Sequence, residues 1–392
     1  MSASPSVRTI LAALAASVLA ACSSADPEPT SGGTTTADAG RTSYDDPAVG
    51  FDDAAIAELR AHGFDKYIGK FEPSDTEATD SATYYTFDPD TKGPICMQGQ
   101  PFKASIRPGT TDDLLIYLQG GGACWTGTCW ANQGTSGGPW PVGWTDGDLA
   151  KNPLGPLPLL TVGYCDGSVF AGDGEVKDAA NGAPDGVRYH HGLANLSAAL
   201  DIGKRAYPSP RRIVLIGSSA GGYGTILSMA VVRLLWPHTH LHVIDDAGPG
   251  LTNPKLPDMY ATMVKEWNLA DRILPSCSAC QKGQFLPLVG WALGHDPTLR
   301  FGLFSAYGDE VLSHDFLSMT GGAYRALLLE ESGAVHDAYP TRFERYFIDG
   351  VKHTALLAGY YDVRVGDLAL PEWTRRMIDE DPAWADALAP IE

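Results

Sequence analysis

The stretch from residue 211 to 225, RRIVLIGSSAGGYGT, constrains this chain more than any other. Residues 213–216 form a short, β-branched apolar run that reads as a buried strand. It leads directly into Gly217-Ser218-Ser219-Ala220-Gly221, a G-x-S-x-G pattern. In that pattern the serine occupies a tight strand-to-helix turn, and small neighbours let the strained backbone pass without clashes. The hydroxyl then stands clear of the sheet at the positive end of the following helix, where a developing oxyanion is stabilised. Five residues alone are a weak signal, because Gly and Ser are common in ordinary turns. Here a strand-like run precedes and a helix-compatible segment, 226–235, follows, which is the context the pattern needs. Ser219 is therefore read as a nucleophile.

The rest of the chain supplies a frame for such a turn. Strands are expected at 84–87, 102–107, 114–118, 159–164, 241–244, 301–307 and 343–348, and helices at 51–62, 193–206 and 316–329. This is an α/β pattern, with a mostly parallel central sheet flanked by helices. Residues 251–298 carry prolines, Cys277, Cys280, Trp267 and Trp291, and read as a disulfide-stabilised insertion or lid. After the strand at 114–118 comes Gln119-Gly120-Gly121-Gly122-Ala123-Cys124-Trp125. Triple glycine in that place resembles the loop that offers backbone N–H groups to an oxyanion, where a Cβ would obstruct the approach. Gly121, Gly122 and Ala220 are thus the expected oxyanion hole. The following loop holds Trp125, Trp130, Trp140 and Trp144. It forms either a wall for a sugar or acyl chain, with Trp125 and Trp130 foremost, or a cap on the core.

Ser219, Asp309 and His353 each follow an expected strand, in the chain order Ser…Asp…His of an α/β-hydrolase. Strand ends at one edge of a parallel sheet converge, so these distant residues are expected to meet. His353 would take the Ser219 proton while Asp309 fixes the imidazole tautomer. Asp246, after the strand at 241–244, is the rival acid. His190, His191 and His314 are read as surface or helix residues. His238, His240 and His242 alternate as metal ligands on a strand would, but no nearby carboxylate completes a site, and Pro237 suggests that the first two lie in a turn. No metal is expected, and a serine triad needs no cofactor.

The chain has 392 residues, 44% of them hydrophobic, which is ample for a core, and a formal charge of -19. Without a basic face, nucleic acid and anionic lipid are poor partners. At the amino terminus Arg8 precedes an apolar run, 10–21, too short to span a bilayer and shaped as a secretory leader. It ends in Leu19-Ala20-Ala21-Cys22, which resembles the bacterial lipobox. The expected organisation is a leader at 1–21, a lipidated Cys22 with a flexible tether at 22–46, and one domain at 47–392. The protein is thus expected to be exported and membrane-anchored, periplasmic or at the cell surface, and to meet the membrane only through its lipid. An oxidising compartment favours bridges among Cys96, Cys124, Cys129, Cys165, Cys277 and Cys280. Cys124 with Cys129 and Cys277 with Cys280 are the short-range possibilities, leaving Cys96 with Cys165, though sequence does not settle the pairing.

The segments Leu118-Gln119-Gly120-Gly121-Gly122-Ala123-Cys124-Trp125, Tyr164-Cys165-Asp166-Gly167-Ser168 and Gly217-Ser218-Ser219-Ala220-Gly221-Gly222 resemble the pectinacetylesterase/Notum family. That resemblance implies a secreted serine hydrolase of α/β-hydrolase fold that cleaves acyl esters, with Ser219, Asp309 and His353 as triad. Ser218 stands where the plant members usually have cysteine. Deacetylation of a polysaccharide is the expected reaction, and pectin, a polyanion, suits an acidic protein poorly. The alternatives are a fatty-acyl or polyester esterase, and a non-catalytic surface lipoprotein that binds glycan through its tryptophan loop.

Overall fold

In chain order the elements are α1 (Asp53–Ala61), β1 (Asp75–Ala78), β2 (Thr83–Phe87), β3 (Phe102–Arg107), β4 (Leu114–Leu118), β5 (Gly122–Trp125), β6 (Thr128–Ala131), β7 (Leu159–Val162), β8 (Gly174–Lys177), β9 (Val187–His190), α2 (Gly192–Ala206), β10 (Arg212–Ser218), α3 (Ala220–Leu235), β11 (His240–Asp246), α4 (Pro257–Glu266), α5 (Pro287–His295), β12 (Arg300–Ala306), α6 (Gly321–Ala338), β13 (Phe343–Ile348), α7 (Thr354–Ala358), β14 (Arg364–Val365), β15 (Leu368–Ala369), α8 (Leu370–Ile378) and β16 (Ala387–Leu388). This computed structural model describes residues 44, 46–148 and 150–391, within one unit, Thr42–Glu392. The expected leader, Cys22 and all of the tether but Tyr44 and Asp46 lie outside the described residues.

Ten strands form one sheet in the order β1-β2-β3-β7-β4-β10-β11-β12-β13-β16. From β7 to β16 every neighbouring pair is parallel, and β1, β2 and β3 continue the sheet antiparallel. Both faces are covered, which is why the parallel strands read as unbroken apolar runs. Along β10, Ile213 and Leu215 enter a core shared with α2, α3, α5 and α6, while Val214 and Ile216 enter a second core with Trp373 and Met377 of α8. Gly302 in β12 leaves room for that packing, since a Cβ there would lie 2.6 Å from the Trp373 ring.

Among the described residues three disulfides are present: Cys96–Cys165, Cys124–Cys129 and Cys277–Cys280. The insertion expected at 251–298 is two things. Its first part, with α4, leans over the carboxyl ends of the strands. Its last part, α5, is the flanking helix between β11 and β12, with Leu288 and Val289 in the first core. The helix expected at 316–329 is displaced. Val311–Phe316 makes a π-helical turn, and α6 starts only after Thr320, whose side chain accepts from Ala323 N.

Candidate active site

Ser219 lies between β10 and α3 with φ 58° and ψ -117°, backbone that a non-glycine residue adopts at a cost of about 1–3 kcal/mol. The turn closes tightly: a Cβ on Gly217 would lie 1.9 Å from Gly221 O, and one on Gly221 would lie 2.1 Å from Leu118 O. Ser219 N donates to Asp246 O at 2.8 Å. Ala220 opens α3, so its N–H has no acceptor within the helix.

Asp309 and His353 are brought together. Both are buried, and His353 Nδ1 is 2.8 Å from Asp309 Oδ2. The other carboxylate oxygen accepts from Leu312 N at 3.0 Å. A carboxylate only accepts, so the imidazole proton resides on Nδ1 and Nε2 is left with a free lone pair. Among the described residues His353 Nε2 is buried and has no hydrogen-bond partner, Ser219 Oγ included. Asp246 is not the partner of His353 Nδ1. Its carboxylate is bonded by Ser218 Oγ, Trp144 Nε1 and Ala355 N. Burial raises its pKa, and those three donors pull it back down.

The glycine loop packs on the serine turn, and a Cβ on Gly120 would lie 3.2 Å from Ser219 Cβ. Gly121 O accepts from Asn132 N at 2.8 Å, and Gly122 lies in β5 with φ 81°. Tyr164 fastens this loop: its hydroxyl donates to Gly122 O at 2.7 Å and accepts from Val169 N at 3.2 Å. The sequence marked the segment around Tyr164 only through its family resemblance, and its physical part is to hold the glycine loop.

Beside Ser219 opens a small apolar pocket. Gly122, Ala220 and Trp125 line it, with Val169, Leu251, Met263, Trp267, Phe285 and Phe316 forming its deeper wall. Trp130 lies outside it, exposed on β6, and Trp144 belongs to the second core. The α4 side of the wall is bolted to the β5–β6 hairpin. Trp267 Nε1 donates to Cys124 O at 2.8 Å, and Glu266 accepts from Thr126 N and from buried Arg188.

The reading of His190 as a surface or helix residue is corrected. It ends β9, fully buried, accepting from Arg188 Nε at 2.9 Å, with Nδ1 on Asp166 O. Burial and the nearby Arg188 charge pull its pKa down to about 3, so it stays neutral. His191 is also buried, ahead of α2, while His314 is exposed. His240 and His242 meet a carboxylate after all, Glu380 at 3.7 and 3.5 Å, but Arg300 pairs with the same group at 3.4 Å. A cluster with metal-ligand chemistry, His336, Glu344 and Asp386, lies at the start of β13, the opposite end of that strand from His353. Two of its groups are engaged with the protein, since Arg345 N and guanidinium hold Asp386, and His336 Nδ1 is 2.8 Å from Phe343 O.

The pectinacetylesterase family model matches residues 158–281, from the start of β7 through Ser219 to the Cys277–Cys280 bridge. Asp309, His353 and the glycine loop fall outside the matched residues. No curated protein matches the chain. The family is one of esterases acting on acetylated substrates, and its match spans the turn on which the sequence reading rested. That match supports the resemblance of the chain to the pectinacetylesterase family.

Proposed function

We propose that this protein is a serine carboxylic ester hydrolase of α/β-hydrolase type, with Ser219 as nucleophile, His353 as base and Asp309 as the group that orients it. The observation that carries the reading is the Asp309–His353 pair at 2.8 Å, whose second imidazole nitrogen is open, at the same sheet edge as a strained serine. A rotation of the Ser219 side chain toward Nε2 starts the reaction, and such bonds often tighten only when substrate binds. His353 Nε2 takes the hydroxyl proton as Oγ attacks the ester carbonyl. The N–H groups of Gly121, Gly122 and Ala220 face the tetrahedral oxyanion, where one donor is worth about 3 kcal/mol. His353 then protonates the leaving alcohol, and water, activated by the same nitrogen, releases the acid from the acyl-enzyme.

The family favours an acetyl ester on a glycan, and the net charge of -19 favours a neutral polysaccharide over pectin. A second reading has its own support. The apolar wall beside Ser219 exceeds what one methyl group can touch, which favours a longer acyl chain. Export and lipid anchoring at Cys22 belong to the same proposal, and three disulfides suit an oxidising compartment. The test is a series of p-nitrophenyl esters from acetyl to decanoyl, assayed beside Ser219→Ala. Activity lost in the variant is the expected result, and a variant as active as the parent refutes it. A maximum at acetyl supports the glycan acetylesterase; a maximum beyond butyryl supports the longer chain.

A further inference from the structure

Asp246, the last residue of β11, is fully buried between the two turns that carry the reacting groups. On one side its Oδ2 accepts from Ser218 Oγ at 2.6 Å, and its main-chain oxygen accepts from Ser219 N at 2.8 Å. On the other side its Oδ1 accepts from Ala355 N at 2.7 Å, two residues beyond His353. Trp144 Nε1 donates to Oδ2 at 2.8 Å from the tryptophan loop, and Tyr117 donates to Ser218 Oγ at 3.2 Å. Both turns are strained: Ser219 has φ 58°, and Thr354, a β-branched residue between His353 and Ala355, has φ 63°. Strained backbone persists only where its surroundings over-determine it. Ser219 and His353 follow β10 and β13, with two strands between them, so a spacing of about 4.8 Å per strand leaves their approach to the loops.

We propose that Asp246 is a positioning residue. Its carboxylate and its carbonyl clamp the Ser219 turn to the His353 turn and so set the separation of nucleophile and base. The proposal rests on the triad reading above. Three donors converge on two oxygens, which only the ionised carboxylate accepts without losing one. Replacement by asparagine turns one oxygen into a donor and forces it against Ser218 and Trp144 or against Ala355 N. Asp309 is bonded to His353 and Asp246 interacts with it, while Asp245 and Asp309 both act on Tyr223.

The test is Asp246→Asn, assayed with p-nitrophenyl acetate from pH 5 to 9 beside Ser219→Ala. Misplacing reacting groups by about 1 Å costs roughly 100-fold, so kcat is expected to fall by about 10- to 100-fold with KM within twofold. A purely structural role lowers the fraction of folded enzyme without lowering kcat per competent serine. A loss of kcat per competent serine below fivefold overturns the clamp. If Asp246→Asn does not fold, the double variant Ser218→Ala/Trp144→Phe decides. It strips two donors while keeping the charge, and a loss of at least fivefold in kcat supports the clamp where a smaller one overturns it. An inert Ser219→Ala beside an unimpaired Asp246→Asn sinks the clamp alone, whereas an active Ser219→Ala sinks the triad beneath it.

Discussion

Asp309→Asn changes a single atom at the pair on which the proposed chemistry depends. Asp309 uses both oxygens, Oδ1 accepting from Leu312 N at 3.0 Å and Oδ2 facing His353 Nδ1 at 2.8 Å. An asparagine keeps the Leu312 bond only by presenting its oxygen there, so its NH2 group faces the imidazole. Nδ1 must then accept, the ring proton moves to Nε2, and the nitrogen that should take the Ser219 proton already carries one. In serine proteases the corresponding change costs about 10,000-fold in kcat, which is about 5.5 kcal/mol of barrier. The expected result here is a loss of 1,000- to 10,000-fold in kcat with KM changed by less than threefold. The loss should be partly recovered at high pH, where deprotonated imidazole tautomers matter less than hydroxide. Thermal unfolding should shift by only a few degrees, because the Leu312 bond and the side-chain shape are kept. The assay is steady-state hydrolysis of p-nitrophenyl acetate, with fluorophosphonate titration to count competent serines. A variant within tenfold of the parent refutes the assignment of Asp309, and the same loss in Asp246→Asn with none in Asp309→Asn would hand the acid's role to Asp246.

Two further predictions concern stability. Burial and the neighbouring Asp386 carboxylate push the Glu344 pKa up to about 8, with Arg345 and His336 the basic groups beside the pair. A carboxyl raised in the folded state contributes stability below its ordinary pKa of 4.5 and loses it as pH rises toward 8. Glu344→Gln, which mimics the protonated form, should therefore unfold at a higher temperature than the parent at pH 9, by about 2 kcal/mol, with no gain at pH 4.5; equal curves at both pH values refute this. Arg188, wholly buried, pairs with Asp178 at 2.7 Å and Glu266 at 2.6 Å. Arg188→Met should cost about 3 kcal/mol in a urea titration, since it leaves two carboxylates without their cation, and a loss under 1 kcal/mol refutes that.

What the sequence made legible were the buried parallel strands. The expected 114–118 and 343–348 coincide with β4 and β13, because a strand covered on both faces must be apolar throughout. Boundaries failed where tertiary contact overrode local pattern. Phe316 and Leu317 look helical in sequence, yet they line the pocket, and the cap at Thr320 starts the helix late. The exposed β1 and the two-residue strands β14, β15 and β16 carry too little apolar periodicity to announce themselves. In the site, the order Ser219, Asp309, His353 was readable because each follows a strand. The hydrogen bonds of Tyr164 and Asp246 were not, since a tyrosine bonded to a glycine carbonyl 42 residues away leaves no local trace.

Asp245, Asp246 and Asp309 are all fully buried at the carboxyl ends of β11 and β12, and burial pushes the Asp245 carboxyl well above the usual range. Uncompensated, each such group costs several kcal/mol, and Ser219, Ala247 and Thr354 add left-handed backbone around them. Folding alone gives no reason to gather acids and strain at one edge of the sheet, and an apolar replacement of similar shape would be at least as stable. Fixed charges and fixed turns do lower the barrier of a reaction in which a proton moves to an imidazole, because they need not reorganise as charge develops. The two-faced core of the sheet supplies the stability that this edge gives up. The account fails if variants that relieve the burden, such as Asp245→Asn, leave the folded state no more stable than before.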